Sequence, residues 1–246
     1  MMIKIERTMA RLNWKQFKKL VPGKINRALL PVGTIEAHGP GALGTDAIIP
    51  EYICQKLAGP LNALVAPTIP YGLTRSLIGF PGSLTVSPET LTAYLKETAL
   101  SLANAGFKYI IIMNGHGGNN DCLKPVGPYL WQQQRARTLT IHWWEASSQA
   151  GKKYFKGTGH AGADELAALM AVDPGLVSKE DYQKQEVGDY PPGMSPYPFH
   201  AAMILNQRGL GYPVFDAPKA RKYMGEVIKI ISDEARTILN AWEKLD

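Results

Sequence analysis

An α/β fold with a mostly parallel sheet, covered by helices on both faces to give three layers, is predicted by two features of this 246-residue chain. Short segments that are apolar throughout and rich in branched or aromatic residues recur along it, as strands buried on both faces require. Between them run stretches of helical period that end at glycine or proline, the alternation that builds a parallel sheet. No internal repeat or linker divides the chain, and residues 1–246 read as a single domain.

Four strands are predicted, at residues 27–32 (RALLPV), 64–69 (LVAPTI), 108–113 (KYIIIM) and 139–143 (LTIHW). A helix is expected over 47–58, preceded by Asp46, a residue type suited to cap it. Another spans 88–105, where Ser87 caps, Pro88 starts and Gly106 stops the helix, and Leu91, Leu95 and Leu102 share a face. DELAALMAV (164–172) is a third, with Asp164 as its expected N-cap. The last runs over 218–245, with Tyr223, Val227, Ile230, Ile231, Ile238 and Trp242 on one face. The proline-rich VGDYPPGMSPYPFH (187–200) reads as an ordered loop or flap.

The chain is 45% hydrophobic and 20% charged, the composition of an ordinary soluble globular protein. No apolar run approaches the ~18 residues a membrane span needs. The first residues are charged throughout and lack a signal-peptide core, so a cytoplasmic location is expected. Cys54 and Cys122 are too few for a disulfide framework and read as small buried residues. The net charge of +6 is scattered in short clusters without a nucleic-acid motif. A solvated basic surface and a small-molecule substrate are therefore expected, without nucleic acid or membrane as partners.

Ligands of such sheets collect beyond the carboxyl ends of the strands, and three polar loops fall there. Glu36 and His38 follow the first strand, with Asp46 after them; His116 follows the third; GTGHAGADEL (157–166) supplies His160, Asp164 and Glu165. Ionisable groups beside a core are costly unless something compensates them. Imidazoles mixed with carboxylates suit zinc, or manganese or iron where oxygen ligands dominate. Asp46 has two oxygens with which to bridge two ions. Taken singly, His38 and His116 read as satisfied loop histidines, His142 as a core or supporting residue, and His200 has no assigned role. It is the convergence of the loops that points to metal.

These segments carry a resemblance. LLPVGTIEAHGPGALGTD (29–46) closely matches LPxGxxExHGxxLxxxTD, IIIMNGHGGNN (110–120) contains NGHGGN, FPGSLTVSPETL (80–91) is similar to an FPGT-containing segment, and GHAGADEL (159–166) is similar to HAGxxET. In that order they resemble the creatininase (creatinine amidohydrolase) family. The resemblance implies a cytoplasmic metallohydrolase with two divalent ions per chain, assembled as a homo-oligomer, usually a hexamer. It places Glu36, Asp46 and His116 on one ion, and His38, Asp46 and a further glutamate on the other. Creatininase takes that glutamate from the NGH loop, where this chain has Gly118, so Glu165 stands in for it. His160 matches a histidine near the nucleophilic water, and His160 or Glu165 would move the proton.

Departures gather on the substrate side. Leu166 and Ser83 replace threonines of the motifs, and Gly79 stands where a histidine is expected. Gly159 replaces a glutamate, and Lys156 replaces a gating tryptophan; Trp144 matches the other active-site tryptophan. The expected activity is hydrolysis of a cyclic or linear amide C–N bond in a small molecule. Backbone N–H groups around Gly115 and Gly117 are expected to support the oxyanion, and Trp144 and Lys156 to contact substrate. The alternatives are a hydrolase of the same cage acting on a formamide or carbocyclic diketone, and a non-catalytic metal-binding assembly protein.

Overall fold

The structure is a computed structural model describing residues 5–190, 194 and 196–245. Four strands form a parallel sheet: β1 (Arg27–Val32), β2 (Ala63–Val65), β3 (Tyr109–Asn114) and β4 (Arg137–His142), in the order β2-β1-β3-β4. Around it lie α1 (Trp14–Leu20), α2 (Thr45–Leu57), α3 (Pro88–Asn104), α4 (Asn120–Leu123), α5 (Val126–Gln134), α6 (Trp143–Ala146), α7 (Ser148–Tyr154), α8 (Ala163–Val172) and α9 (Ala217–Glu243).

The layers follow from the alternation of side chains along a strand. Leu29, Ile111, Met113 and Ile141 point to one face and pack on Ile53 of α2, Leu169 of α8 and Val227 and Ile231 of α9. Ala28, Leu30, Val32, Ile110 and Ile112 point to the other and meet Leu91 and Leu95 of α3 and Leu130 of α5. Two apolar cores on one sheet give the expected three layers. No helix among the described residues is long and apolar enough to cross a membrane.

Three expectations are corrected. The strand expected over 64–69 pairs only over Ala63–Val65. Pro67 has no N–H to donate, and the chain rejoins the sheet at Ile69, whose carbonyl accepts from Gly33 N–H at 2.9 Å. The fourth strand starts at Arg137 and stops at His142, because Trp143 opens α6. On the last helix Ile238 is not buried with its neighbours but stands 36% exposed beside β4.

A second, three-stranded sheet was not anticipated: β5 (Gly159–His160), β6 (Val187–Asp189) and β7 (Met203–Leu205), in the order β5-β7-β6. Strands of two or three residues are too short for a periodic signal. The segment expected to form a flap begins as β6 and folds back on itself, Tyr190 stacking on Phe199 at 5.4 Å. Pro191, Pro192, Gly193 and Ser195 of that segment lie outside the described residues.

Helix α2 is wedged onto the strand ends. A Cβ on Gly33 would lie 2.3 Å from the Asp46 carbonyl oxygen, and one on Gly115 would lie 1.9 Å from it. Only glycine fits at either place. Gly33→Ala is therefore expected to lower stability by about 1–3 kcal/mol in urea unfolding, as overpacking does. Gly23→Ala, whose Cβ would meet nothing within 4 Å, should change it by less than about 0.5 kcal/mol.

Candidate metal centre

Strand β1 ends in a loop that buries Glu36 and His38, and the first turn of α2 buries Asp46 beside them. Asp46 is not the N-cap expected from sequence. Gly44 holds that position, and Asp46, two residues inside, turns its carboxylate to the core. His116 follows β3, while His160 and Glu165 come from β5 and the first turn of α8. Three loops distant in sequence thus meet at one rim of the sheet.

The three histidines are held alike. His38 donates from Nδ1 to the Glu36 carbonyl at 2.9 Å, leaving Nε2 facing Asp46 Oδ1 at 2.9 Å and Glu165 Oε2 at 3.6 Å. His116 donates from Nε2 to the Leu73 carbonyl at 3.1 Å and turns Nδ1 to Asp46 Oδ2 at 2.8 Å and Glu36 Oε1 at 3.3 Å. His160 donates from Nε2 to the Ala37 carbonyl at 2.7 Å, with Nδ1 3.5 Å from Glu36 Oε1 and 4.0 Å from Glu165 Oε2. One nitrogen of each ring is pinned to the backbone and the other is aimed at carboxylates. Metal-binding histidines are oriented in this way.

The ligand-type atoms fall into overlapping groups, each within 4.8 Å: Glu36–Asp46–His116, His38–Asp46–Glu165 and Glu36–His38–His160. The first two are the sets expected from sequence, and Asp46 belongs to both. Asp46 Oδ2 is buried and makes no hydrogen bond among the described residues, although His116 Nδ1 lies 2.8 Å away. A ring nitrogen and a carboxylate oxygen face each other there, as two ligands of a shared cation do. The donor set fits zinc or manganese, with imidazole and carboxylate mixed.

Electrostatics show what the cluster lacks. Burial alone would lower the His38 pKa, but the carboxylates of Asp46, Glu165 and Glu36 override it and raise it to about 10. Burial would likewise lower His116, and Glu36 and Asp46 lift it to about 9. Burial would raise Asp46; the two imidazolium charges hold it far below the carboxylate range instead. Glu36 is raised by burial, and Glu165 to about 8 for the same reason. Burial and the charge on His38 lower His160 to about 3. The carboxyl groups thus favour positive charge at His38 and His116.

A cavity of about 170 Å³ opens beside the cluster. Its lining includes Gly115, Gly117 and Trp144, as expected, but not Lys156, which is exposed outside it. Gly115 N–H is already donated to the Val32 carbonyl at 2.8 Å, so it has no proton to offer an oxyanion; Gly117 is exposed at the rim. Gly118, standing where creatininase has its glutamate, would put a Cβ 2.3 Å from the Leu73 carbonyl oxygen. A side chain there would meet the loop's own backbone, and the glutamate grouped with His38 and Asp46 is Glu165 of α8.

His142 stays outside the cluster, as expected. Its Nδ1 lies 3.0 Å from Asn114 Nδ2, and Asn114 also accepts His116 N–H through Oδ1 at 3.2 Å. His200 faces Tyr190 Oη at 2.8 Å. Asp164 is not the N-cap of α8, which is Gly162; it is buried, lines the cavity and accepts from Gly159 N–H at 3.4 Å. Burial raises its pKa to about 6. Trp143, Thr158 and Asn206 complete the wall. Asn206 reaches it only because β7 pairs with β5, a contact with no sequence signal.

The model of the family described as creatininase, creatinine amidohydrolase, matches residues 10–226. Creatinine amidohydrolase from Pseudomonas putida is 26% identical over 205 residues, covering 75% of this chain and 77% of that protein. A mycofactocin precursor peptide peptidase from Mycobacterium ulcerans is 30% identical over 159 residues, 61% of this chain and 59% of its own. A crystal structure of creatinine amidohydrolase superposes with a TM-score of 0.77 at 22% identity, over 94% of this chain and 97% of that one. A manganese form, described as creatininase Mn, gives 0.74 at 22% identity over 94% and 98%. The match along nearly the whole chain, with the fold to go with it, makes this protein a member of the creatininase family of amidohydrolases.

Proposed function

We propose that the chain hydrolyses an amide C–N bond in a small polar molecule, with Glu36, His38, Asp46, His116 and Glu165 as the residues that would hold two divalent ions and so supply an activated water. The observation that carries this reading is the double membership of Asp46 in the Glu36–His116 and His38–Glu165 groups, with an unpartnered buried oxygen between them. Ions bound there supply a water of lowered pKa and polarise a carbonyl. His160 is the proton carrier: Nε2 is committed to the Ala37 carbonyl, so Nδ1 has a lone pair to take the proton of water. The new C–O bond forms as C–N breaks, and the same nitrogen returns the proton to the departing amine. Glu165 is held by Ala161 N–H at 2.6 Å and serves as ligand. Family resemblance supports two ions and a cytoplasmic homo-oligomer.

The wall selects the substrate. A planar ring with apolar faces is held well between aromatic rings. Trp143 and Trp144 offer indoles, but Thr158, Asp164 and Asn206 are polar, and no further Trp, Tyr or Phe lines the cavity among the described residues. Creatinine is therefore expected to be a poor substrate, and a more polar, hydroxylated amide a better one. A substrate panel on the manganese-loaded protein tests this. Efficient creatinine turnover would restore the plain creatininase assignment.

The metals themselves are tested without substrate. The wild type, saturated with manganese or zinc and desalted, should retain about two ions per chain, and Asp46→Asn should lose at least one. Binding must displace protons from His38, His116 and Glu165, all raised above 7, so calorimetry in buffers of different ionisation enthalpy should show about three protons released near pH 7. His160→Asn should keep the ions and lose turnover by roughly 10²–10⁴-fold. Retention of full activity would remove the proton-carrier role.

The pH dependence of the metal-free protein has a defined sign. The folded pKa of His38 and His116 lies above the ordinary 6.5, so their stabilisation is complete below that value and fades as pH rises through about 9 and 10. Glu165, raised from 4.5 to about 8, also opposes folding as pH rises through that range. The gap in melting temperature between metal-loaded and metal-free protein is therefore expected to widen from pH 6 to pH 9.

A further inference from the structure

The two edges of the central sheet are finished differently. Beside β2 the chain covers its own edge: Val65 N–H donates to the Arg7 carbonyl at 2.7 Å, and Thr8 bridges to Val65. β4, at the other edge, meets no further strand among the described residues. Its register shows which groups are left over. Arg137 N–H donates to the Lys108 carbonyl at 3.0 Å, and parallel ladders alternate, so Arg137, Leu139 and Ile141 turn their amides towards β3. Thr138, Thr140 and His142 turn theirs outward. They form a row of donors and acceptors with no strand opposite.

The two faces of this edge differ in chemistry. On one, Leu139 and Ile141 meet Ile231, Ala235 and Ile238 of α9 around a mostly apolar cavity of about 270 Å³. On the other, Thr138 and Thr140 face Asp121 and Lys124 across a polar cavity of about 580 Å³. The polar groove ends at His142 and Gly117, and Gly117 also lines the metal cavity. Trp144 stands at that junction, 4.0 Å from where a Gly117 Cβ would be.

We propose that the β4 edge docks an extended peptide as a fifth strand and delivers an amide near the peptide's end to the metal centre over Gly117. The outward amides supply main-chain bonds, and the unlike flanks read side chains of alternating apolar and polar type. The groove's continuity with the metal cavity marks the occupant as a substrate and not a second copy of the chain. The inference rests on the hydrolase reading above and extends it to peptides. Water adds oxygen to the amide carbon, the C–N bond breaks, and the released amine takes the proton.

The probe is a fluorescein-labelled peptide of alternating valine and threonine, about six residues long. Its anisotropy should rise on titration with the zinc-loaded protein. Thr140→Pro removes the central outward N–H, and proline is tolerated on an edge strand where its missing N–H faces away from the sheet. That variant should bind roughly tenfold more weakly or worse while keeping its ions and its turnover of a small amide. Ile238→Lys, which puts an ammonium in the apolar flank, should weaken the peptide likewise without touching the backbone. Failure of the wild type to bind at millimolar peptide, or unchanged binding in both variants, would overturn the proposal. So would a wild-type dimer, seen by sedimentation, that dissociates in Thr140→Pro, because the edge would then belong to a second copy. Peptide binding that persists in a protein holding no metal would sink the hydrolase reading and leave the docking strand standing.

Discussion

Glu36 and Asp46 are buried and Glu165 half-buried around the same two histidines, His38 and His116, and much of the fold answers that crowding of carboxyl groups. Carboxylates taken out of water this close together cannot all stay ionised without positive charge between them. Part of the answer is built into the backbone. Asp46 lies in the first turn of α2, and Asp164 and Glu165 in the first turn of α8, so the positive ends of two helices converge on the cluster. The rest must come from His38 and His116 as cations, or from metal ions that displace their protons.

Placing α2 so close to the strand ends in turn dictates residues that carry no chemistry. Gly33 and Gly115 are glycines because the Asp46 backbone occupies the space of their side chains, and Pro50 has no N–H to give the Asp46 carbonyl from within the helix. Asn119 ties the same region together, donating to the Gly33 carbonyl at 3.1 Å and accepting Leu73 N–H at 2.9 Å. The NGH loop thus does two jobs: it aims His116 and it props the loop that follows β1.

Those demands govern what was legible in the sequence. Strands β1 and β3, buried on both faces, show as unbroken apolar runs, and Glu36, His38 and His116 stand shortly after them. Asp46, His38 and His116 could be read because ionisable groups set among glycines beside a core call for a compensating charge. The substrate wall could not be read this way. Asn206 and Thr158 are ordinary polar residues whose position depends on β5 pairing with β7, strands of two and three residues. Asp164 looked like a helix cap because caps and cavity residues use the same amino acids at the same distance from a helix start. Lys156, aligned with a gating residue, is exposed because alignment fixes the position of a backbone and not the direction of a long side chain.

The two sheets therefore divide the work. The parallel sheet and the helix ends packed on it position charge, and substitutions there are constrained by backbone contacts closer than any side chain allows. The small sheet supplies the wall from side chains, and its backbone is equally crowded: a Cβ on Gly159 would lie 2.2 Å from the Ile204 carbonyl oxygen. A glutamate at that position, as in creatininase, requires β5 and β7 to move apart. Glycine at 159 and the tight β5–β7 pairing thus go together. Asp164, accepting from the N–H of Gly159, places a carboxyl group beside it from α8. The first sheet thus fixes the charged groups, and the second shapes the wall beside them.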